Sequence, residues 1–198
     1  MIRWFIVSQS LSLMASSVAF PFYLLFIKNI GSNFSSFGIA YGLFTLSSAL
    51  VHRLAGRAVD AFGSKLLLGF HAVGMSLIFL FIPNIISLHE VYFFQFLLGL
   101  LGSLQKNGEK SYIAKMSEGS NQGRIIGNYH FWTSIYSALA VMGCGMLIDY
   151  FTIHVIFYIC SLFYFCSGLT LLCMKESNIK KSLKRRTGSS IWMKSGLD

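Results

Sequence analysis

Apolar residues run through this chain in six long stretches separated by short polar segments. They cover about Trp4–Ile27, Phe37–Leu54, Leu66–Ile86, Leu88–Gln105, Ile125–Ile148 and Ile153–Met174. A helix of roughly 20 such residues, rising about 1.5 Å per residue, crosses the hydrocarbon of a bilayer. Barrel strands would be about ten residues long and strictly alternating. Runs such as Leu77–Ile82 show no alternation. The pattern therefore predicts an all-α membrane protein, a bundle of six transmembrane helices. The connections are alternately short and longer. Asn29–Ser36 is polar and rich in Gly and Ser, Pro83 and Asn84 mark a second turn, and Asp149–Thr152 a third. Pro21 predicts a kink near the far end of the first helix, because it removes a backbone donor.

Composition excludes the soluble alternatives. Hydrophobic residues make up 55% of the 198 and charged residues only 12%, against about 25% charged in an ordinary soluble domain. Mean hydropathy is +0.64. Such a chain has too little polar surface to coat a water-facing globule, and it is too apolar for general disorder. The lipid bilayer is thus its first partner. Two parts follow: a membrane bundle over 1–174 and a basic tail over 175–198.

A net charge of +9 would suggest nucleic acid in a soluble protein. Here the cations follow membrane topology instead, and no nucleic-acid partner is expected. Arg3 precedes the first helix. Arg53, Arg57 and Lys65 lie between the second and third, and Lys106, Lys110, Lys115 and Arg124 between the fourth and fifth. The rest follow the sixth, and only Lys28 falls on the opposite side. This asymmetry predicts a multi-pass protein of the cell membrane with both termini cytoplasmic, which requires an even number of helices. In the tail, Lys180, Lys181, Lys184, Arg185 and Arg186 form a polybasic run. Near anionic headgroups each would contribute about 1 kcal/mol; the plainer reading is a solvated topogenic tail. The first stretch is longer than a signal-peptide core and lacks a small-residue cleavage site, so no secretory signal is expected.

Cys144, Cys160, Cys166 and Cys173 lie inside apolar runs without CxxC spacing, the pattern of buried small residues rather than of a metal site or disulfide. No cofactor is implied. No GxSxG, HExxH or Walker loop occurs, and the five histidines are scattered, so an enzyme is not expected.

The segment between the second and third stretches reads Gly56-Arg-Ala-Val-Asp60-Ala-Phe-Gly63-Ser-Lys65, a G-x-x-x-D-x-x-G-x-K pattern. Glycines let helix ends turn sharply or approach closely. A carboxylate is favoured at a helix N-terminus, and Asp60, placed near the start of the third helix, can also pair with Arg57 or Lys65. The pattern closely resembles the signature loop of the major facilitator superfamily, in the same position and topology. More weakly, Tyr112-Ile113-Ala114 followed by Gly123-Arg124 and Gly127 is similar to that family's second inner loop, and Gly143-Cys144-Gly145 before Leu147-Ile-Asp149 looks like its end of helix five. The resemblance implies a secondary transporter moving a small solute by alternating access. It also implies that Gly56, Arg57, Asp60, Gly63 and Lys65 form a gating motif locking the inner ends of two six-helix bundles. The plain alternative is a tight charged turn that only sets topology. Where the family carries a basic residue after the Asp, this chain has Ala61; Arg57 stands a turn earlier as its replacement.

Other polar positions are candidates for a substrate cavity. Gln95 stands four residues before Gly99, where proton-coupled relatives carry an Arg, so proton coupling through this half is not expected. Gln9 lies among serines on the first helix, where close packing is the default. His130 and Tyr136 lie on the fifth helix; His130 is the best titratable candidate, although a lone intramembrane His is more often a packing residue. Lys106, Glu109 and Arg124 form a candidate inner charge cluster, by a local Lys106–Glu109 pair at helical spacing or by a gate pair to Arg57 or Arg124.

The resembled family has twelve helices, with the substrate path between two halves. The basic tail resembles its central loop, so this chain resembles the amino-terminal half. A truncated product, a half that pairs with a second six-helix half, and a homodimer are the readings, truncation being the most economical. The alternative class is a non-transporting membrane protein that acts as a partner-binding or assembly subunit.

Overall fold

A computed structural model describes residues 2–29, 33–117 and 122–174. The basic tail, with Lys180 to Arg186, lies outside the described residues. Among the described residues the secondary structure is helical throughout: α1 (Ile2–Asn29), α2 (Phe34–Phe62), α3 (Ser64–Phe81), a single 3₁₀ turn (Ile82–Asn84), α4 (Leu88–Ser117), α5 (Gln122–Leu147) and α6 (Ile153–Leu172). The all-α expectation holds.

Several helices run past their apolar stretches. α2 continues from Leu54 to Phe62, and α4 from Gln105 to Ser117. Hydropathy marks only the part that sits in hydrocarbon. Lys, Arg, Glu, Gln and Ala are good helix formers, so the backbone carries on into water until something stops it. For α2 that stop is Gly63, at φ +87, whose amide donates to the Val59 carbonyl at 2.9 Å. Only glycine adopts this conformation without strain. The signature segment is therefore not a loop: Gly56, Arg57 and Asp60 occupy the last turns of α2, and Asp60 is not at the start of α3. At the opposite end of the bundle, Ser87 and Glu90 start α4 as a capping box. Glu90 accepts from the Ile86 and Ser87 amides at 3.1 and 3.2 Å, and Ser87 Oγ accepts from the Glu90 amide at 3.4 Å. Pro21 lies within α1, which stays helical through it.

α1, α2, α3 with its 3₁₀ extension, and α6 are long and apolar enough to cross a membrane. α4 and α5 carry more polar residues, and for α4 its position explains why. α1 packs on α5 and α6, α4 packs on α2 and α3, and α3 packs on α6. Exchanging α1 with α4, α2 with α5 and α3 with α6 returns the same neighbours. This is the contact pattern of two three-helix repeats, with α1 and α4 central and α2 and α5 flanking. Central helices face a cavity as well as the core, so they need not be wholly apolar.

The core has two parts. One centres on Phe22, Phe26, Phe79, Phe157 and Tyr164, between α1, α3 and α6. The other, at the end carrying the signature motif, gathers Phe5, Leu68, Tyr129, Leu171 and Met174. Hydroxyl pairs tie the helices where side chains are small. Ser8 and Ser167 exchange hydrogen bonds between α1 and α6, and Ser161 Oγ donates to the Ser76 carbonyl at 2.7 Å between α6 and α3. Such residues let membrane helices approach closely and satisfy polar groups in hydrocarbon.

Candidate functional site

One face of α4 presents Gln95, Leu98, Gly102, Gln105 and Glu109, spaced by three and four residues and so aligned on one side of the helix. All five line a groove of about 390 Å³ between α1, α2 and α4. Its walls are largely aromatic: Phe20 and Tyr23 from α1, Phe37, Tyr41 and Phe44 from α2, and Phe79 from α3. The rings contact one another, with Phe20 edge-on to Tyr41 at 5.8 Å and Tyr41 stacked on Phe44 at 6.1 Å. A mostly apolar concavity with a few placed polar groups is the usual form of a small-molecule site.

The polar groups lie on the central helices. Gln95 and Gln105 are buried. Gln105 Nε2 donates to Ser12 Oγ of α1 at 3.1 Å, which bridges the two repeats behind the groove. Tyr23 is buried, and its hydroxyl lies towards Gln95 without a hydrogen bond of normal length. Lys106 and Glu109 close the groove at the motif end. Glu109 lies past the apolar stretch of α4, and burial raises its carboxyl above the ordinary carboxylate range, against the nearby Tyr129 hydroxyl and His130.

The sequence candidates divide accordingly. Gln95, Lys106 and Glu109 come together in the groove. Gln9 is buried but does not line it, and its Oε1 has no partner among the described residues. His130 and Tyr136 are exposed on α5 and lie outside the groove; Tyr136 stacks on Trp132 at 5.9 Å. Tyr136, seven positions after Tyr129, shares the side of α5 that buries Tyr129, Thr133 and Cys144 but is itself exposed, and His130 stands beside that side. Arg124 is exposed at the start of α5. The expected Lys106–Glu109 pair is not formed; no ion pair joins the described residues.

At the motif, Arg57 and Asp60 are exposed and Gly63 makes the turn. Lys65 does not reach Asp60. Its Nζ donates to the Met174 carbonyl just past the end of α6, where a cation meets unsatisfied carbonyls.

Two groove-related residues escaped the sequence reading. The apolar pattern marks Gln105 only as the end of a stretch, though its spacing from Gln95 and Glu109 puts it on the same face. His71, in the middle of α3, is buried between α1, α4 and α6 and contacts Ser12, the Leu101 carbonyl and the Tyr164 ring. Nothing local distinguished it from the other histidines. Among the described residues no three His, Cys, Asp or Glu side chains gather as a metal site.

A profile of the Major Facilitator Superfamily matches residues 5–194. The uncharacterized MFS-type transporter YitZ of Bacillus subtilis (strain 168) is 49% identical over 158 residues, which cover 80% of this chain and 96% of that protein. Multidrug resistance protein MdtG of Escherichia fergusonii is 27% identical over 168 residues, 82% of this chain but 41% of that protein. MdtG of Escherichia coli (strain K12 / DH10B) gives the same figures. The chain thus spans nearly all of one relative and less than half the length of the others.

Proposed function

From the premise that this chain belongs to the major facilitator superfamily, we propose that its six helices form one wall of a secondary transporter, which moves a small solute across the cell membrane by alternating access. The observation that carries this reading is the groove between α1, α2 and α4, aromatic along its length, with Gln95 and Gln105 as its buried polar groups. Such a lining suits an amphipathic organic solute. The MdtG relatives, which are named multidrug resistance proteins, agree with that class.

The second wall is a second six-helix half or a second copy of this chain. Two features support a second wall. α2 and α5, which flank the central helices, leave most of their large apolar side chains exposed. Arg57 and Asp60 are exposed at the end of the bundle, free to dock on an opposing bundle. In this reading Gly56, Arg57, Asp60, Gly63 and Lys65 gate the inner side, Lys65 by holding α3 to α6. Both termini, with the tail over 175–198, are cytoplasmic.

The test is solute efflux from cells expressing the chain alone and with candidate second halves, alongside the native size of the gently solubilised protein. Transport by a two-bundle assembly is expected. A lone bundle that moves no solute under any pairing would favour an assembly subunit instead.

A further inference from the structure

Behind the groove, a chain of hydrogen bonds joins four groups on three helices. His71 Nδ1 lies 3.0 Å from the Leu101 carbonyl oxygen, His71 Nε2 lies 3.4 Å from Ser12 Oγ, and Gln105 Nε2 donates to Ser12 Oγ at 3.1 Å. All three side chains are buried. The Leu101 carbonyl can only accept. His71 Nδ1 must therefore carry a hydrogen, and in the neutral ring Nε2 is then an acceptor. Ser12 meets that acceptor with its one hydroxyl hydrogen, so its oxygen is left to accept from Gln105. The Gln105 amide is thereby oriented with its NH₂ inward, and its carbonyl oxygen remains for the groove it lines. A backbone carbonyl at one end thus sets the polarity of a side chain at the other.

We propose that His71, acting through Ser12, is a positioning residue that makes Gln105 a hydrogen-bond acceptor in the groove, selecting apolar solutes that carry an N–H or O–H donor. Tyr23 also lines this groove, and its buried hydroxyl has no hydrogen-bond partner among the described residues. The proposal rests on the groove being the solute site, and it goes beyond that reading in naming the chemistry selected and the residue that sets it.

The test uses the full chain in lipid nanodiscs and two fluorescent probes, N-phenyl-1-naphthylamine and its N-methyl derivative, which lacks the donor. The wild-type protein should prefer the amine by about five- to tenfold, the value of one hydrogen bond. Ser12→Ala and His71→Phe should each abolish that preference while binding the N-methyl probe unchanged, which shows that the groove is intact. His71→Gln, which can donate to Leu101 and accept from Ser12, should restore it. Nitrogen-15 spectra of the imidazole, assigned by the His71→Gln difference, should show the neutral ring protonated at Nδ1. A ring protonated at Nε2 or at both nitrogens, a preference that survives Ser12→Ala, or failure of the wild type to bind either probe would overturn the proposal. Donor-selective binding without solute movement in vesicles, alone or with any candidate second half, would instead sink the transporter reading and leave this one standing.

Discussion

Gly99 of α4 crosses α2 so closely that a Cβ built on it would stand 2.3 Å from the Phe44 carbonyl oxygen and 1.9 Å from Ser47 Oγ. Ser47 could rotate away, but the Phe44 backbone could not. This contact sets the spacing of the two helices that form one side of the groove, and it gives Gly99 a packing reason to be glycine.

Gly99→Ala should therefore force α2 and α4 apart. A cost of about 1–3 kcal/mol is expected, as for other overpacked sites. It should appear as a lower unfolding temperature of the detergent-solubilised protein and as weaker probe binding. Gly102→Ala is the control, because its Cβ would meet the Phe44 ring at an ordinary 3.6 Å. Equal stability of the two variants would mean that the crossing is looser than the structure has it.

Lys65 ties the start of α3 to the end of α6 through the Met174 carbonyl. Lys65→Met keeps most of the aliphatic stem but removes the donor. A loss of about 0.5–1.5 kcal/mol is expected, with Met174→Cys becoming more reactive to a water-soluble maleimide. Unchanged reactivity would show that the lysine spends its time in water.

Asp60 and Arg57 are exposed and form no ion pair among the described residues. Asp60→Asn and Arg57→Ala should accordingly leave the unfolding free energy within about 0.5 kcal/mol of wild type. If the motif gates an assembled transporter, both should still lower solute movement. A variant that loses stability and transport in parallel would point to a structural turn instead.

Topology can be read with single cysteines in a background lacking the four native ones. Ser64, although next to the turn, is buried, so Ala61, which is exposed, is the better reporter of the motif end. Ala61→Cys should react only after permeabilisation and His89→Cys from outside. The reverse pattern would invert the proposed orientation.

The six-helix plan was legible in the sequence because hydropathy is local: the transfer cost of each side chain depends little on which helix packs beside it. The signature motif was legible for a similar reason, since its glycine and charge spacing is read along one chain. Helix ends were less so. The apolar stretch stops near Leu54, but the α2 backbone is hydrogen-bonded as far as Phe62. Among the described residues, it is the positive φ of Gly63 that closes the turn.

Which polar residues share a site was a different kind of question. Gln9 and Gln95 look alike in sequence, yet only Gln95 reaches the groove. His130 and His71 both sit in apolar helices, yet His130 is exposed on α5 while His71 is enclosed by α1, α4 and α6. Lys65, one of the two cations whose spacing would let them pair with Asp60, instead reaches a carbonyl more than a hundred positions away. The sequence by itself determined how many helices the described residues form and roughly which stretches form them. The order in which they pack, and the rotation of each about its axis, came only with the tertiary structure. Those depend on pairwise contacts such as Gly99 against Phe44, which join residues far apart in the chain and leave no periodic trace in either helix alone.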